Sequence, residues 1–337
     1  RFLTWRWQFH LNVLLALAGI VVGWLVLEPE RRNRRPIDWF GPAALTTGLV
    51  ALCLALLSGA RIQTVGGLDE LTDTGGTDWT GPWLYPVAAL AIGLFVLSER
   101  RASEPVIDRA LRRDGPAVAA LAVNVLASVG LVVTLINVPL FVNIVEGGVA
   151  DSAVRAGWLL TAFTATMAAT SYLGGRLAGS SGARWPTMAG LALAAIGMVA
   201  MGLVWDPGTS AAAMAIQLAV AGAGMGLLLA PTSAAVIDAA GDEGRGVASG
   251  LVVVARLVGF SVGLAALTAW GLRRYDQLRT AVELPTIDDP GYADAVATAT
   301  RDVSTTALAE TFLGGAIALM AALLVARVLP RRSIRAT

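Results

Sequence analysis

Long runs of apolar residues, separated by short polar or charged stretches, recur along the whole chain. A helix that crosses the hydrocarbon core of a bilayer, about 30 Å thick, needs about 20 mainly apolar residues. Runs of suitable length predict nine helices, at residues 9–27, 38–60, 81–98, 117–145, 152–178, 185–205, 209–237, 247–280 and 290–329. The pattern therefore predicts an all-α, polytopic membrane protein with nine transmembrane helices.

Composition supports this interpretation. The 337 residues are 56% hydrophobic and 15% charged, which leaves too little polar surface for a soluble domain. The net charge of +1 gives no indication of nucleic-acid binding. The single cysteine, Cys53, excludes a disulfide framework, and the lone His10 has no cluster of His, Cys or Glu around it. We therefore expect no metal site.

The arginines predict the orientation of the chain in the membrane. All 25 basic residues are arginine, and sixteen of them lie in loops that share one side of a nine-helix topology, among them 31–35, 99–115 and the tail 326–337. Cytoplasmic loops carry an excess of Arg and Lys. We therefore expect a multi-pass protein of the cytoplasmic (inner) membrane with a cytoplasmic C-terminus.

Glycine and proline mark predicted helix contacts and bends. Two glycine pairs, Gly222 with Gly226 and Gly259 with Gly263, have the i, i+4 spacing that lets helix backbones approach closely in lipid. Pro139 lies inside a long apolar run, where it removes one backbone hydrogen bond and is expected to kink the helix. These features predict a tightly packed bundle.

One charged residue, Arg256, interrupts the apolar run at 252–267. Burying a charge at bilayer depth costs from about 3 to more than 10 kcal/mol by different measures, so such residues are normally paired or hydrated. Arg256 either extends toward the inner surface or faces a central cavity and couples transport to protons. Arginine does not titrate near neutral pH, so the second role requires a carboxylate whose protonation Arg256 would bias.

No carboxylate lies at mid-depth in the nine predicted spans. Asp238, Glu146 and Asp151 lie close to predicted helix ends, and Glu310 is expected about one turn below the outer membrane surface. We therefore expect the acidic partner of Arg256 to belong to a helix outside this chain. On that interpretation, the chain is not expected to transport alone.

A few polar or polarisable residues inside apolar runs are candidates for lining a substrate cavity. They are Asn124, Thr134, Asn137, Gln217 and Met225. Helical spacing places Asn124 and Asn137 near one face of their helix. These residues either line a cavity or form hydrogen bonds between helices, and the spacing does not distinguish the two.

The run at 247–280 would extend about 50 Å as a helix, farther than the hydrocarbon core requires. After Trp270, apolar residues continue at helical spacing along this run and again on the returning chain. They are Leu272, Tyr275, Leu278, Tyr292, Val296 and Val303. These stripes predict an extracytoplasmic helical hairpin at about 271–305, and the alternative is a loose loop.

Four segments carry a family resemblance. They are "WRWQFHLNV" (5–13), "IDWFGPAALTTGLVALCLAL" (37–56), "NVPLFVNIVEGGVADSAVRAGWLLT" (137–161) and "GAGMGLLLAPTSAAVIDAAGDEGRGVASGLVVVARLVGFSVG" (222–263). In this order they resemble segments of helices six to thirteen of the QacA/EmrB-type drug:proton antiporters, the fourteen-helix branch of the major facilitator superfamily. "GGRLAGSSGAR" (174–184) partly matches the family's cytoplasmic gate motif but lacks its acid, which makes Arg176 and Arg184 gate candidates.

The resemblance implies a domain organisation. Residues 1–30 would be the last helix of the N-terminal bundle, 31–115 an inserted linker helix pair with cytoplasmic loops, and 116–337 the C-terminal six-helix bundle. Helices one to five of the family would then be missing. Because residue 1 is arginine, we expect the chain to be a fragment or a processed form.

The resemblance also implies a proton-coupled secondary transporter that works by alternating access and needs no cofactor beyond the proton gradient. The mycobacterial lipid exporters of this family, which work with a periplasmic lipoprotein, are described with extended last helices. The predicted hairpin and the arginine-only, Ala- and Gly-rich composition fit that subgroup and an actinobacterial source.

We therefore expect export of a lipid such as triacylglycerol, or of another hydrophobic compound, with the bilayer and a periplasmic lipoprotein as partners. The alternative is a multidrug efflux antiporter with no lipid substrate. A membrane enzyme is disfavoured, because the sequence offers no nucleophile–base pair and no metal cluster.

Overall fold

The computed structural model describes residues 6–26, 39–57, 81–101, 109–146, 149–286 and 289–331. Within these ranges the chain is built from α-helices joined by short turns, as predicted. The arginine cluster at 31–35, the connection at 61–80 between the second and third predicted helices, and the tail at 332–337 lie outside the described residues.

The helices follow the apolar runs of the sequence. Their bounds are α1 Arg6–Val26, α2 Phe40–Leu57, α3 Leu84–Arg101, α4 Arg109–Arg113, α5 Gly115–Glu146, α6 Val149–Ser181, α7 Arg184–Val204, α8 Ala211–Ala239, α9 Gly241–Thr280 and α10 Tyr292–Val325, followed by a 3-10 turn at Ala326–Val328. Each predicted span corresponds to one of the long helices. Among the described residues, α1, α5, α7, α8, α9 and α10 are long and apolar enough to cross a membrane, and α2 is apolar but shorter.

The chain divides into two compact units, residues 1–37 and 38–337. The first contains α1, a single apolar helix in which the rings of Trp7 and His10 lie 5.9 Å apart. The second unit contains all of the other helices.

In the second unit, α2 and α3 form an antiparallel pair with a small core of Ala51, Ala55, Leu84 and Ala88. The pair also touches the larger bundle, because the Cys53 thiol donates to the carbonyl oxygen of Ser261 in α9 at 3.5 Å.

Helices α5 to α10 pack into one bundle around a continuous hydrophobic core. Short connections reverse the chain after each helix, so α5, α7 and α9 run in one direction and α6, α8 and α10 in the other. The core contains large side chains from different helices, among them Phe141, Phe163, Leu191, Leu218 and Phe312, all fully buried. The assignment of residues 116–337 to a C-terminal domain of the family stays a prediction.

Glycines hold α8 close to the helices on both of its sides. A Cβ atom at Gly222 or Gly226 would collide with the carbonyl oxygen of Phe163 or Met167 in α6, respectively. On the opposite side, a Cβ at Gly224 would overlap the backbone of Ala194 in α7. The backbones are therefore in direct contact on both faces, as expected where glycine replaces larger side chains between membrane helices.

Two helices extend beyond their predicted bounds, and glycine explains both differences. We expected one helix to end at 178, but α6 continues to Ser181 and the chain reverses at Gly182, whose φ is +82°. We expected a later helix to begin at 247, but α9 begins at Gly241, whose φ is +66°. A residue with positive φ ends a helix sharply, and glycine adopts that conformation without steric cost.

Candidate functional site

Arg256 lies in α9 beside α5 because two glycines bring these helices together. A Cβ at Gly259 would collide with the carbonyl oxygen of Val125, and one at Gly263 would lie 3.0 Å from the Cα of Val129. Arg256 precedes Gly259 by about one helical turn, so its side chain meets Asn124 of α5.

The guanidinium of Arg256 is half-buried and bonded to two other helices. Its Nε donates to Asn124 Oδ1 at 2.9 Å. Its Nη2 donates to Ser233 Oγ at 2.8 Å and to the carbonyl oxygen of Leu229 at 3.3 Å, both in α8. Arg256 therefore connects α5, α8 and α9 instead of pointing into lipid.

All of these acceptors are neutral. The ion pairs between described residues include Arg112 with Glu99, Arg274 with Glu310 and Arg279 with Asp276, and none includes Arg256. The positive charge is solvated by dipoles but is not balanced within this part of the chain. An acidic partner outside the chain, as the sequence suggested, stays a prediction.

A second feature is an apolar cleft between α5, α9 and α10, with a volume of about 400 Å³. We call it the apolar cleft. It is lined by Val132, Val133, Ile136, Asn137, Leu140, Ile144, Gly263, Leu264, Leu267, Thr268, Gly271, Leu272, Tyr275, Ser304, Ala307, Leu308 and Thr311. The cleft extends toward the end of the bundle where α9 and α10 join, away from Arg256.

The structure does not bring the predicted cavity residues together. Asn137 lines the apolar cleft and its amide donates to Thr311 Oγ1 of α10, whereas Asn124 contacts Arg256. Thr134 is fully buried and bonds to Gly130 of its own helix, and Met225 is buried in the bundle core. Gln217 accepts a hydrogen bond from Trp205 Nε1 at 2.6 Å.

Trp205 is the centre of an aromatic group that sequence reasoning missed. Its ring centroid lies 5.0 Å from that of Phe141, in a tilted arrangement, and 5.1 Å from that of Phe312, in an edge-to-face arrangement. Trp205 follows α7 and is only 4% exposed. Its position at the end of an apolar run gave no sign of a core residue, because tryptophan there is equally typical of a membrane interface.

Pro139 lies within α5, which continues unbroken from Gly115 to Glu146. Pro231 occupies a similar place inside α8, two residues before the Ser233 that contacts Arg256.

The predicted hairpin residues occupy the ends of α9 and α10. Leu272 and Tyr275 line the apolar cleft, Val303 is buried, and Leu278, Tyr292 and Val296 are half-buried. Arg274 and Glu310 form a two-pronged ion pair across the two helices, with N–O distances of 2.6 and 2.9 Å. Arg301 joins α10 to the end of α5 by donating to the carbonyl oxygen of Val145 at 2.7 Å.

The two gate candidates flank the turn between α6 and α7. Arg176 is exposed, and Arg184 is half-buried with its backbone N–H bonded to the carbonyl oxygen of Pro330. Neither forms an ion pair with a described residue. Among the described residues, no three His, Cys, Asp or Glu side chains are grouped so that they could hold a metal ion.

Known proteins were compared with the chain. A family model described as Major Facilitator Superfamily matches residues 148–276, from the start of α6 into the extended part of α9. The match therefore includes Arg256, Ser233 and the glycines of α8.

Several curated relatives are named triacylglyceride transporters. The chain is 35% identical over 286 residues to one from Mycolicibacterium hassiacum, covering 81% of this chain and 51% of that protein. It is 34% identical over 293 residues to one from Mycobacterium tuberculosis, covering 81% and 53%, and 31% identical over 289 residues to one from Mycobacteroides abscessus, also covering 81% and 53%. The chain thus spans about half the length of the relatives it matches. With the bundle of apolar helices and the family match, these similarities show that the chain belongs to the major facilitator superfamily.

Proposed function

We propose that the chain is the C-terminal part of a proton-coupled secondary transporter that exports lipids or similar hydrophobic compounds across the cytoplasmic membrane. The names of the mycobacterial relatives support a triacylglycerol-like substrate. The apolar cleft between α5, α9 and α10 is the observation on which the proposal mainly rests.

The size and lining of the apolar cleft suit acyl chains. Along α9 it extends from Gly263 to Tyr275, about 18 Å at ~1.5 Å per residue. Its volume of about 400 Å³ lies within the range of ligand pockets, about 300–1,000 Å³. Each methylene that leaves water gains about 0.8 kcal/mol, so a long chain in this cleft is strongly stabilised.

The lengths of α9 and α10 favour a lipid over a small drug. They contain 40 and 34 residues, and a helix of 40 residues is about 60 Å long. The hydrocarbon core is only about 30 Å thick, so the ends of both helices continue past it. A small amphiphile needs no apolar surface beyond the membrane. A long acyl chain benefits from an apolar surface that continues outward.

Energy coupling is assigned to Arg256 and to a carboxylate of the transporter outside this chain. In this scheme the two bundles of the carrier rock between inward- and outward-facing states. A proton on the carboxylate would release it from Arg256 and allow the change of state. The C-terminus lies in the cytoplasm, with Arg176 and Arg184 at the cytoplasmic gate, and the joined ends of α9 and α10 face a periplasmic lipoprotein.

The proposal can be tested by filling the apolar cleft in the full-length transporter. Ser304 is half-buried in the cleft wall, so Ser304→Trp should obstruct an acyl chain and lower lipid export, measured as lipid extracted from the cell surface. Ile317→Trp is the matched control, because Ile317 lies on the same helix and is 70% exposed. We expect export to continue in the control.

Unchanged lipid export in Ser304→Trp would contradict the proposal. Efflux of a cationic dye should be measured in the same cells. If the cleft variant abolishes dye efflux and the parent protein exports no lipid, the multidrug alternative is supported instead.

A further inference from the structure

The contacts of Arg256 include an amide whose orientation is fixed. Asn124 is 1% exposed, and its Nδ2 donates to the carbonyl oxygen of Ala120 at 2.8 Å. Its Oδ1 is therefore the atom that faces Arg256, and it accepts the Nε hydrogen bond. The amide is held between its own helix and the guanidinium, so it presents an acceptor without a charge.

The second contact is fixed in the same way. Ser233 Oγ donates to the carbonyl oxygen of Leu229 at 2.7 Å, which directs its lone pairs toward Arg256 Nη2. Leu229 also accepts from Nη2 directly. Within the described residues, Nη1 makes no hydrogen bond. The guanidinium is therefore held along one edge by α5 and α8, and Nη1 on the other edge has no acceptor among the described residues.

The balance of charge alone would favour an acid at these positions. Aspartate has nearly the same shape as asparagine, and a charge-assisted hydrogen bond is roughly twice as strong as a neutral one. An acid at residue 124 or 233 would balance the charge of Arg256 inside the bundle. The arrangement in the structure orients the charge and leaves it unbalanced.

We propose that Asn124 and Ser233 are positioning residues that fix the guanidinium of Arg256 while leaving its charge available to a carboxylate that approaches during the transport cycle. This inference rests on the proposed proton-coupled export. It adds that the neutrality of the two positioning residues is required, because an acid within the bundle would compete with the approaching carboxylate.

The test compares acidic and apolar replacements in the full-length transporter. Asn124→Asp loses the bond to Ala120 but gains a charge-assisted bond to Arg256, so it should fold with thermal stability close to that of the parent, yet lose proton-coupled export by about tenfold or more. Asn124→Leu, of similar size but without an acceptor, no longer holds Arg256 Nε, so it should unfold at a lower temperature and lose part of its export, but less per folded molecule than Asn124→Asp. Ser233→Asp supplies an independent acidic variant from α8. Its position is half-buried, so a larger side chain is less confined there than at Asn124, which is 1% exposed.

A purely structural role for Asn124 predicts the opposite order, with the acidic variant active and the leucine variant impaired. That order would overturn the inference, as would failure of both acidic variants to fold. The measured quantities are substrate-dependent proton movement in vesicles and thermal unfolding of the purified protein. If the parent protein itself moves no protons with substrate, the proposed function fails. If it does and Asn124→Asp does too, only the inference fails.

Discussion

At the scale of single residues, Arg256 shows how a cation is accommodated inside an apolar bundle. Amide, hydroxyl and carbonyl oxygens from α5 and α8 replace water around its guanidinium. Buried polar groups are costly unless they are hydrogen-bonded, and these contacts meet most of that requirement without a counter-ion. The residue is therefore stably placed and still carries its charge.

Arg256→Lys should abolish proton-coupled export while leaving the protein folded. Lysine keeps the charge but has a single ammonium group, which cannot bond to Asn124 on one helix and to Ser233 and Leu229 on another with the planar geometry of arginine. Substrate-dependent proton movement measures the effect, and size-exclusion profiles of the purified protein report folding.

Arg256→Met provides the comparison without charge and should also be inactive. Export at the level of the parent in either variant would show that Arg256 is a structural residue that happens to extend toward the membrane surface.

The sequence marks Arg256 as the one charge in the apolar run at 252–267, but it does not identify the residues that Arg256 contacts. Asn124 lies 132 positions away and Ser233 23 positions away. Neither is charged, so a search for counter-ions passes over them. The sequence also did not show that Thr134 and Met225 are buried inside the bundle. A polar or polarisable residue in an apolar run fits the helix interior as well as a cavity, and only the packing distinguishes them.

At the scale of helices, the sequence predicted the elements well because a bilayer permits few alternatives. Backbone groups must be satisfied within each span, so a long apolar run in lipid has to be a helix. The prediction was less accurate at the turns. The helical segments up to Ser181 and from Gly241 look like loops in the sequence, because their residues are small or polar. The short helix α4 was also hidden within an arginine-rich stretch.

The glycine contacts of α8 yield a stability prediction. Gly222→Ala adds a methyl group where the carbonyl oxygen of Phe163 already lies, and overpacking of this kind typically costs about 1–3 kcal/mol. Thermal unfolding in detergent should therefore shift to lower temperature.

Gly250→Ala is the matched control, because a Cβ at Gly250 in α9 meets no atom within 4 Å. It should be neutral or stabilising by up to about 1 kcal/mol, since alanine favours the helix over glycine. Equal effects of the two variants would show that α6 and α8 are not packed as closely as described.

At the scale of the whole molecule, the joined ends of α9 and α10 are a distinct region. Arg274 and Glu310 connect the two helices there, and Arg301 connects α10 to the end of α5. The sequence predicted the helical character of this region from apolar spacing. It did not predict these contacts, which depend on which faces of the three helices meet.

Deletion of residues 273–300 from the full-length transporter should abolish lipid export and leave efflux of small cationic drugs in place. The deletion removes the ends of α9 and α10 that extend the apolar surface outward, but retains Arg256 and most of the apolar cleft. Cell-surface lipid and drug resistance are the two measurements.

Arg273→Gln, an exposed change in the same region, serves as the control and should leave both activities intact. Normal lipid export together with lost drug efflux in the deletion variant would indicate that this region does not guide lipid.

The backbone contacts on both sides of α8 also determine which parts of the bundle can move. Sliding α8 along α6 or α7 would drive carbonyl oxygens of one helix against the Cα atoms of the next. These three helices should therefore move together as one rigid body. Relative motion is left to boundaries filled by flexible side chains, and Arg256 reaches across one of these to α8. A change in the balance of charge at Arg256 would therefore act at the boundary between α6–α8, which move together, and the neighbouring helices. Such a change would alter the orientation of one group of helices relative to the other.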